Sequence, residues 1–379
     1  MLDNNTKRKI VIQCSPRIPT ITAEEVKKLS IPVKKVEKLH LELEGNMYDC
    51  MYLNLKLRTA NRVLLHLFDC AAKNADDLYR EVKKYAWEDI IKIKGYFNIQ
   101  SKVYNPTIKD HRFASLRFKD AIADRFNQLF QKRPNSGPDR NKIVLFFYWQ
   151  NDHCQVYLDT SGETIAKHGY RKIPMRAPMQ ESLAAATLYS TTWNMEAPLV
   201  NPMCGSGTLA IEAAMMCAGI APGILRSNYS FMHVPGFSKY QYEEIKAKAQ
   251  PPSAIKIPPI IASDIDERAI EAAKKNATLA GVHNYIKFHV ADFRKTRLPK
   301  DNGIVILNPE YGERLGEEAQ LEKIYAAIGD FFKQNCTGYT GYIFTGNLNL
   351  AKKVGLKTSR KIEFYNGKID SRLLEYPIF

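Results

Sequence analysis

The sequence predicts an α/β domain on a doubly wound, mainly parallel sheet, preceded by a smaller α+β region. Three observations predict it. From about residue 163, short apolar runs alternate with helical patterns, as in successive strand–helix–strand units. Before that point strands and helices are mixed, and no G-x-x-x-x-G-K-[ST] phosphate loop occurs. The 379 residues suffice for two or three domains at roughly 150 residues each.

The front elements follow from local pattern. Residues 10–14 are strand-like. Thr22-Ala-Glu-Glu25 reads as a capping box opening a helix to about residue 29. Leu39, Leu41 and Leu43 alternate with polar neighbours, a period-2 strand stopped by Gly45-Asn46. A helical stretch, a strand over 61–68, a helix over 76–90 and a strand over 95–104 come next. Residues 115–132 form an amphipathic helix with Ile122, Phe126, Leu129 and Phe130 on its stripe. Runs 142–150 and 155–158 form a hairpin about Asn151-Asp152.

The rear alternation runs helix 179–193, strand 198–201, a glycine loop and helix 208–218. A Pro/Gly-bearing stretch, 221–259, reads as an insertion on this unit. Strand 260–263, helix 267–279, strands 286–290 and 304–307, helix 318–332 and strand 339–344 complete it.

Composition narrows the functional classes. No apolar run approaches the ~18 residues of a membrane helix, and the N-terminus lacks a secretory apolar core, so a cytoplasmic protein is expected. The seven cysteines include no C-x-x-C pair, so neither a metal nor a disulfide framework is expected. The formal charge is +15. Residues 1–150 hold 28 Lys and Arg against 17 Asp and Glu, a net +11. A basic front suggests a polyanion partner, although a solvated basic face reads the same way. Lys119, Arg125, Lys132 and Arg133 lie off the apolar stripe of helix 115–132 or just past its end, and are the leading contacts for such a polyanion.

Four strand-end runs carry chemistry. In Asn201-Pro-Met-Cys-Gly-Ser-Gly-Thr208, Gly205 and Gly207 allow close backbone approach to a ligand, or simply a tight turn. Asp264, leaving the second strand, sits where ribose hydroxyls would lie, whereas Asp266 reads as a helix N-cap. Asp292-Phe293 can bracket a purine, or be a loop turn. Asn308-Pro309-Glu310-Tyr311 offers an amide acceptor, a fixed backbone and a stacking face for a planar exocyclic amine; an Asn-Pro β-turn is the alternative.

Together these runs, in this order, resemble S-adenosylmethionine-dependent methyltransferases. His168-Gly-Tyr-Arg171, the run from Ala177 to Ala186, NPMCGSGTLAIEAA, SDIDERAIEAAKKNATLAGV, NPEYGERLG and the terminal GLKTSRKIEFYNGKIDSRLLEYPI are similar to the THUMP-domain RNA guanine-N2 methyltransferase family. The likeness covers nearly the whole chain and is greatest to the bacterial branch acting on large-subunit ribosomal RNA, in its single-methyltransferase form. It implies a ferredoxin-like piece (1–50), a THUMP RNA-binding domain (51–162) and a class I, Rossmann-like methyltransferase domain with a seven-stranded sheet (163–379).

The resemblance implies that S-adenosylmethionine meets Asn201, Cys204, Gly205 and Gly207 on one side and Asp264, Ile265, Asp292 and Phe293 on the other. It implies that Asn308, Pro309 and Tyr311 hold a flipped guanine for direct displacement at the sulfonium, without metal or covalent intermediate. Two residues depart from the family pattern: Asn201 replaces the usual Asp, and Glu310 replaces the second Pro of Asn-Pro-Pro-Tyr. Three rivals remain: a transfer-RNA guanine-N2 methyltransferase, a DNA adenine-N6 methyltransferase, and a non-catalytic RNA-binding or ribosome-assembly factor. The α+β front argues against the DNA enzyme, and absence of cofactor binding would mark the assembly factor.

Overall fold

The structure, a computed structural model, describes residues 5–173, 178–250, 256–311 and 318–379. They fall into two compact units. The first takes in Met1–Cys14, Ala23–Ile165 and Arg226–Ala249, and the second Ser15–Thr22, Ala166–Leu225 and Gln250–Phe379.

The first unit holds strands β1 (Arg8–Cys14), β2 (Val33–Val36), β3 (His40–Gly45), β4 (Ala60–Ala71), β5 (Tyr96–Tyr104), β6 (Asn135–Ser136), β7 (Ile143–Gln150) and β8 (His153–Asp159). They make one mixed sheet in the order β2-β3-β1-β4-β8-β7-β5-β6. Period-2 alternation sets the register: Ile10 and Ile12 on β1 pair with Leu43 and Leu41 on β3, and all four are buried. The β7–β8 hairpin turns at Asn151, in the left-handed region at φ 51°, where Asn is well tolerated.

Several front expectations are corrected. The first helix is Pro19–Lys28, with Pro in its first turn. Thr22 and Glu25 are therefore not a capping box. The Thr22 hydroxyl donates back to Ile18 O, and buried Glu25 accepts from Arg58 N, Thr59 N and Thr59 Oγ1. The box lies one helix later, where Asn46 and Asp49 cap Met47–Lys56 reciprocally. The helix expected over 76–90 is Ala75–Lys84 followed by a short 3₁₀ turn, because Trp87 turns into the core and donates to Val82 O. The amphipathic helix is His111–Phe130, capped by Asp110 and ended by Gln131 at φ 52°. It buries Ala114, Phe118, Ala121, Ile122 and Phe126, while Leu129 and Phe130 are 50% and 36% exposed, so the stripe lies one turn earlier.

Residues 226–249, expected as an insertion on the rear domain, pack in the first unit. Ser230 Oγ accepts from Val144 N at 2.9 Å, and Tyr229 stacks on Phe231 at 5.0 Å. Tyr229, Phe231, Tyr242 and Ile245 are buried there, and this apolar load explains the placement.

The second unit holds β9 (Leu199–Pro202), β10 (Ile260–Asp264), β11 (Ile286–Val290), β12 (Ile304–Leu307), β13 (Thr340–Thr345), β14 (Arg360–Asn366) and β15 (Ile369–Pro377). Their order is β11-β10-β9-β12-β13-β15-β14. All neighbours are parallel except β13–β15 and β14–β15. Order reverses between β9 and β12, which puts a topological switch point at their carboxyl ends. Strands β9 and β12 are buried throughout. Helices Thr208–Cys217, Glu267–Leu279 and Glu318–Asn335 cover the sheet, with Val200, Val305, Tyr325, Phe332 and Ile343 in one apolar cluster. The helix expected over 179–193 is Glu181–Tyr189. The His168-Gly-Tyr-Arg171 run anchors its segment: the fully buried His168 and Glu212 meet at 2.7 Å, the Tyr170 hydroxyl also bonds Glu212, and Arg171 pairs with Glu181. Ala177 and residues 312–316 of the sequence motifs lie outside the described residues.

Candidate functional site

The four strand-end runs meet at one edge of the second unit's sheet, at the carboxyl ends of β9, β10, β11 and β12. Three of them leave the short buried strands β9, β10 and β12, whereas the Asp292-Phe293 run leaves the edge strand β11, of which only Ile286 is buried.

After β9 the chain turns through three left-handed residues, Met203, Gly205 and Gly207, at φ 56°, 55° and 82°. Gly207 is required by packing: a Cβ there would lie 2.8 Å from Ala273 Cβ on the facing helix. Gly205 has no neighbour within 4 Å of that position, so its backbone faces open space. Asn201 is buried; its amide donates to Ile306 O at 2.8 Å, and its Oδ1 has no partner among the described residues. Cys204 N donates to Ser263 O, and burial together with the Asp264 carboxylate pushes its thiol upward.

Asp264 joins the two loops. One carboxylate oxygen accepts from Gly205 N at 2.9 Å and the other from Asp266 N at 3.0 Å. Each oxygen retains a lone pair for a further donor. Ile265 is 73% exposed, an isolated apolar side chain beside that carboxylate. Asp266 caps its helix through Arg268 N. Asp292 is more committed than the sequence suggests: it caps the Phe293–Lys295 turn and pairs with Arg294, which holds its carboxyl below the usual range. Phe293 stands perpendicular to Phe331, with ring centroids 5.8 Å apart, and packs against the core cluster while staying partly exposed.

After β12, Pro309 is buried and Glu310 exposed. Asn308 Oδ1 is buried and has no partner among the described residues. A buried carbonyl left unpaired costs about 1–3 kcal/mol, and this oxygen keeps its full capacity to accept a further donor. The Tyr311 hydroxyl accepts from Asn366 Nδ2 at 2.7 Å, and its ring lies against Gly346. Sequence reasoning missed Asn366 and Gly346. Gly367 in the first position of a two-residue hairpin turn, at φ 62°, was the available signal.

The four cations singled out on the sequence lie in the first unit, and they do not form one free set. Arg125 pairs with Glu88 through two nitrogens, at 2.8 and 2.6 Å, and donates to Lys83 O and Lys84 O. Lys119 is half-buried. Lys132 and Arg133 are exposed, and neither has an ion pair among the described residues. No group of three or more His, Cys, Asp or Glu that could hold a metal occurs among the described residues. None of their helices is long and apolar enough to cross a membrane.

Comparison with known proteins fits this geometry. The family described as RMKL-like, methyltransferase domain, matches residues 168–375, the THUMP domain matches 72–159, and the RlmL ferredoxin-like domain matches 9–64. The chain is similar to a protein of Synechocystis sp. named as a candidate RNA methyltransferase, with 33% identity over 96% of this chain and 94% of that one. It is similar to the ribosomal RNA large subunit methyltransferase K/L of Syntrophotalea carbinolica, with 32% identity over 95% of this chain and 52% of the relative. The chain thus spans about half the length of the K/L relatives it matches. The solved structure of SMU.472, described as a candidate methyltransferase complexed with SAH, superposes with TM-score 0.88 at 26% identity, over 98% of both chains.

Proposed function

The chain belongs to the RMKL-like methyltransferase family, and from that premise we propose that it methylates the exocyclic N2 of a guanosine in large-subunit ribosomal RNA, using S-adenosylmethionine. The observation that carries this reading is Asn308 Oδ1: a buried carbonyl oxygen without a partner among the described residues, three residues before a tyrosine ring held by its hydroxyl.

The residues at the strand ends fit the cofactor. The open backbone face at Gly205 admits an adenosyl group, and a Cβ there would project into that space. Asp264, already oriented by two backbone amides, accepts from the ribose hydroxyls. Exposed Ile265 offers an apolar face to the adenine, and the buried Asn201 Oδ1 can accept from an ammonium group. Asp292, engaged by Arg294, has less freedom to bond the adenine amino group, and Phe293 offers its partly exposed ring. Cys204 and Gly207 act through the turn they build.

When bound, the cofactor supplies an electrophilic methyl group on a sulfonium. Asn308 Oδ1 and the Pro309 carbonyl accept hydrogen bonds from the 2-amino group of guanine, which raises electron density on its nitrogen and fixes its direction. Tyr311 stacks on the base. Positioning of this kind accounts for most of the barrier reduction. Exposed Glu310 keeps its side chain out of the buried turn, so the departure from the family pattern leaves Asn308 and Tyr311 in place. The first unit, which includes the THUMP match, holds the RNA, with Lys119, Lys132 and Arg133 as phosphate contacts.

Mass-spectrometric mapping of modified guanosines in ribosomal and transfer RNA from a strain lacking the protein tests the proposal. Loss of one N2-methylguanosine in large-subunit RNA is the expected result. Loss in transfer RNA instead, or no loss in either, overturns it.

A further inference from the structure

Resting on the reading of Tyr311 as the ring that stacks on the target base, we propose that the β14–β15 hairpin is part of the acceptor site, with Asn366 and Arg17 as positioning residues that fix that ring.

Strand β14 runs parallel to β13, because both are antiparallel to β15. Its last residue, Asn366, therefore lies at the same sheet edge as the carboxyl ends of β12 and β13. The turn there is two residues, Gly367 and Lys368, closed by the pairing of Asn366 with Ile369. From it the Asn366 amide donates to the Tyr311 hydroxyl at 2.7 Å. The other side of the ring is seated on Gly346, just past β13. A Cβ on Gly346 would lie 3.0 Å from Tyr311 Cδ2 and Cε2 and 2.6 Å from Ile369 Cγ2. Backbone on one side and one amide at the tip thus hold the ring, although Tyr311 leaves β12 in a loop of its own.

The hairpin is itself clamped. Arg17 belongs to the second unit through the segment Ser15–Thr22, far from β14 in sequence. Its guanidinium pairs with Glu363 at 3.2 Å and with Asp370, one on each arm of the hairpin, and lies over the Tyr365 ring at 4.4 Å. Its Nη1 also reaches Phe364 O at 3.4 Å. Arg17 has φ 69°, a left-handed conformation that costs a non-glycine residue energy and persists only where surroundings impose it. A planar, forked cation fits this two-armed clamp, whereas the single point charge of a lysine cannot span it.

The test measures single-turnover methyl transfer to total RNA from a strain lacking the protein, with calorimetric affinity for S-adenosylmethionine and thermal unfolding on the same samples. Asn366→Leu is expected to slow transfer about 3- to 10-fold, the effect of one hydrogen bond. Cofactor affinity stays within about 2-fold, as no cofactor hydrogen bond is removed. In a Tyr311→Phe background the same change produces no further loss. Asn366→Asp restores transfer, because the tyrosine hydroxyl can donate as well as accept. Arg17→Ala slows transfer in the same way, and Arg17→Lys fails to restore it. Parental transfer by Asn366→Leu, or an equal loss in the Tyr311→Phe background, overturns the positioning role. Parental transfer by Tyr311→Ala instead overturns the acceptor-site reading on which it rests.

Discussion

Asp264 accepts a 2.9 Å hydrogen bond from the backbone amide of Gly205, which ties the carboxylate at the end of β10 to the turn after β9. The pair is 59 residues apart in sequence. A charged acceptor on a backbone donor is among the stronger hydrogen bonds in proteins, so this contact is a substantial link between the two loops. Asp264→Ala therefore removes the tether and, on the proposed reading, the ribose acceptor with it. The expected result is a loss of affinity for S-adenosylmethionine of at least ~10-fold, from bonds worth about 1.5–3 kcal/mol each. Asp264→Asn keeps an acceptor for Gly205 and should lose less. Calorimetric titration checks both, and parental affinity in the alanine variant would mean the crevice is misassigned.

The unpaired Asn308 oxygen gives a prediction with an unusual sign. Truncation of a buried, hydrogen-bonded side chain normally destabilises, but here the removed oxygen has no bond to lose among the described residues. Asn308→Ala should abolish methyl transfer, leave cofactor affinity nearly unchanged, and shift the unfolding midpoint little or slightly upward. A marked fall in the midpoint would mean that Asn308 holds the turn rather than the base.

How far this site was legible in the sequence depends on the range of the contacts. Asn201, Asp264 and Asn308 each stand at the end of a short apolar run, and strand period plus alternation with helices places all three at one edge. The contacts that orient the side chains are long-range. Asn366 reaches Tyr311 across 55 residues, and Arg17 reaches Asp370 across 353. No periodicity encodes such pairs. Arg125 illustrates the same limit in the opposite direction. Its spacing on the helix marks it as a free cation, and only the fold shows Glu88 beside it. The stretch 226–249 has Pro and Gly like a loop, yet its aromatic residues decide which unit it packs in.

Glu25 predicts a pH dependence. Burial pushes its carboxyl above the usual range, against the opposing pull of Thr59 and Arg58. The folded chain then holds that proton more tightly than the unfolded chain, whose value is about 4.3. A raised acid pKa stabilises the fold at low pH, and that contribution is lost as pH rises through the folded value. The parent should therefore lose stability relative to Glu25→Gln, which does not titrate, as pH rises from acidic toward neutral. Urea unfolding of both across that range measures it; a parent that gains on the variant as pH rises would mean the carboxylate is favoured in the fold.

The basic front supplies the last prediction. Residues 1–150 carry a net +11, and none of the four strand-end runs lies among them. If the first unit holds RNA through phosphates, binding releases counterions, and log affinity falls with log salt by about 0.7 to 0.9 per phosphate neutralised. The ion pair of Arg125 with Glu88 divides the four cations of this helix region into two classes. Replacing Lys119, Lys132 and Arg133 together by Gln should weaken RNA binding and reduce the slope by about two units or more. Unfolding and cofactor affinity should not change. Arg125→Gln should do the opposite. It breaks a half-buried pair and two bonds to backbone carbonyls, so it should lower stability by about 1 kcal/mol or more with little change in slope. Filter binding of total RNA across a salt series, beside denaturant unfolding, separates the two classes. A slope that the triple replacement leaves at the parental value would show that these cations face solvent rather than RNA.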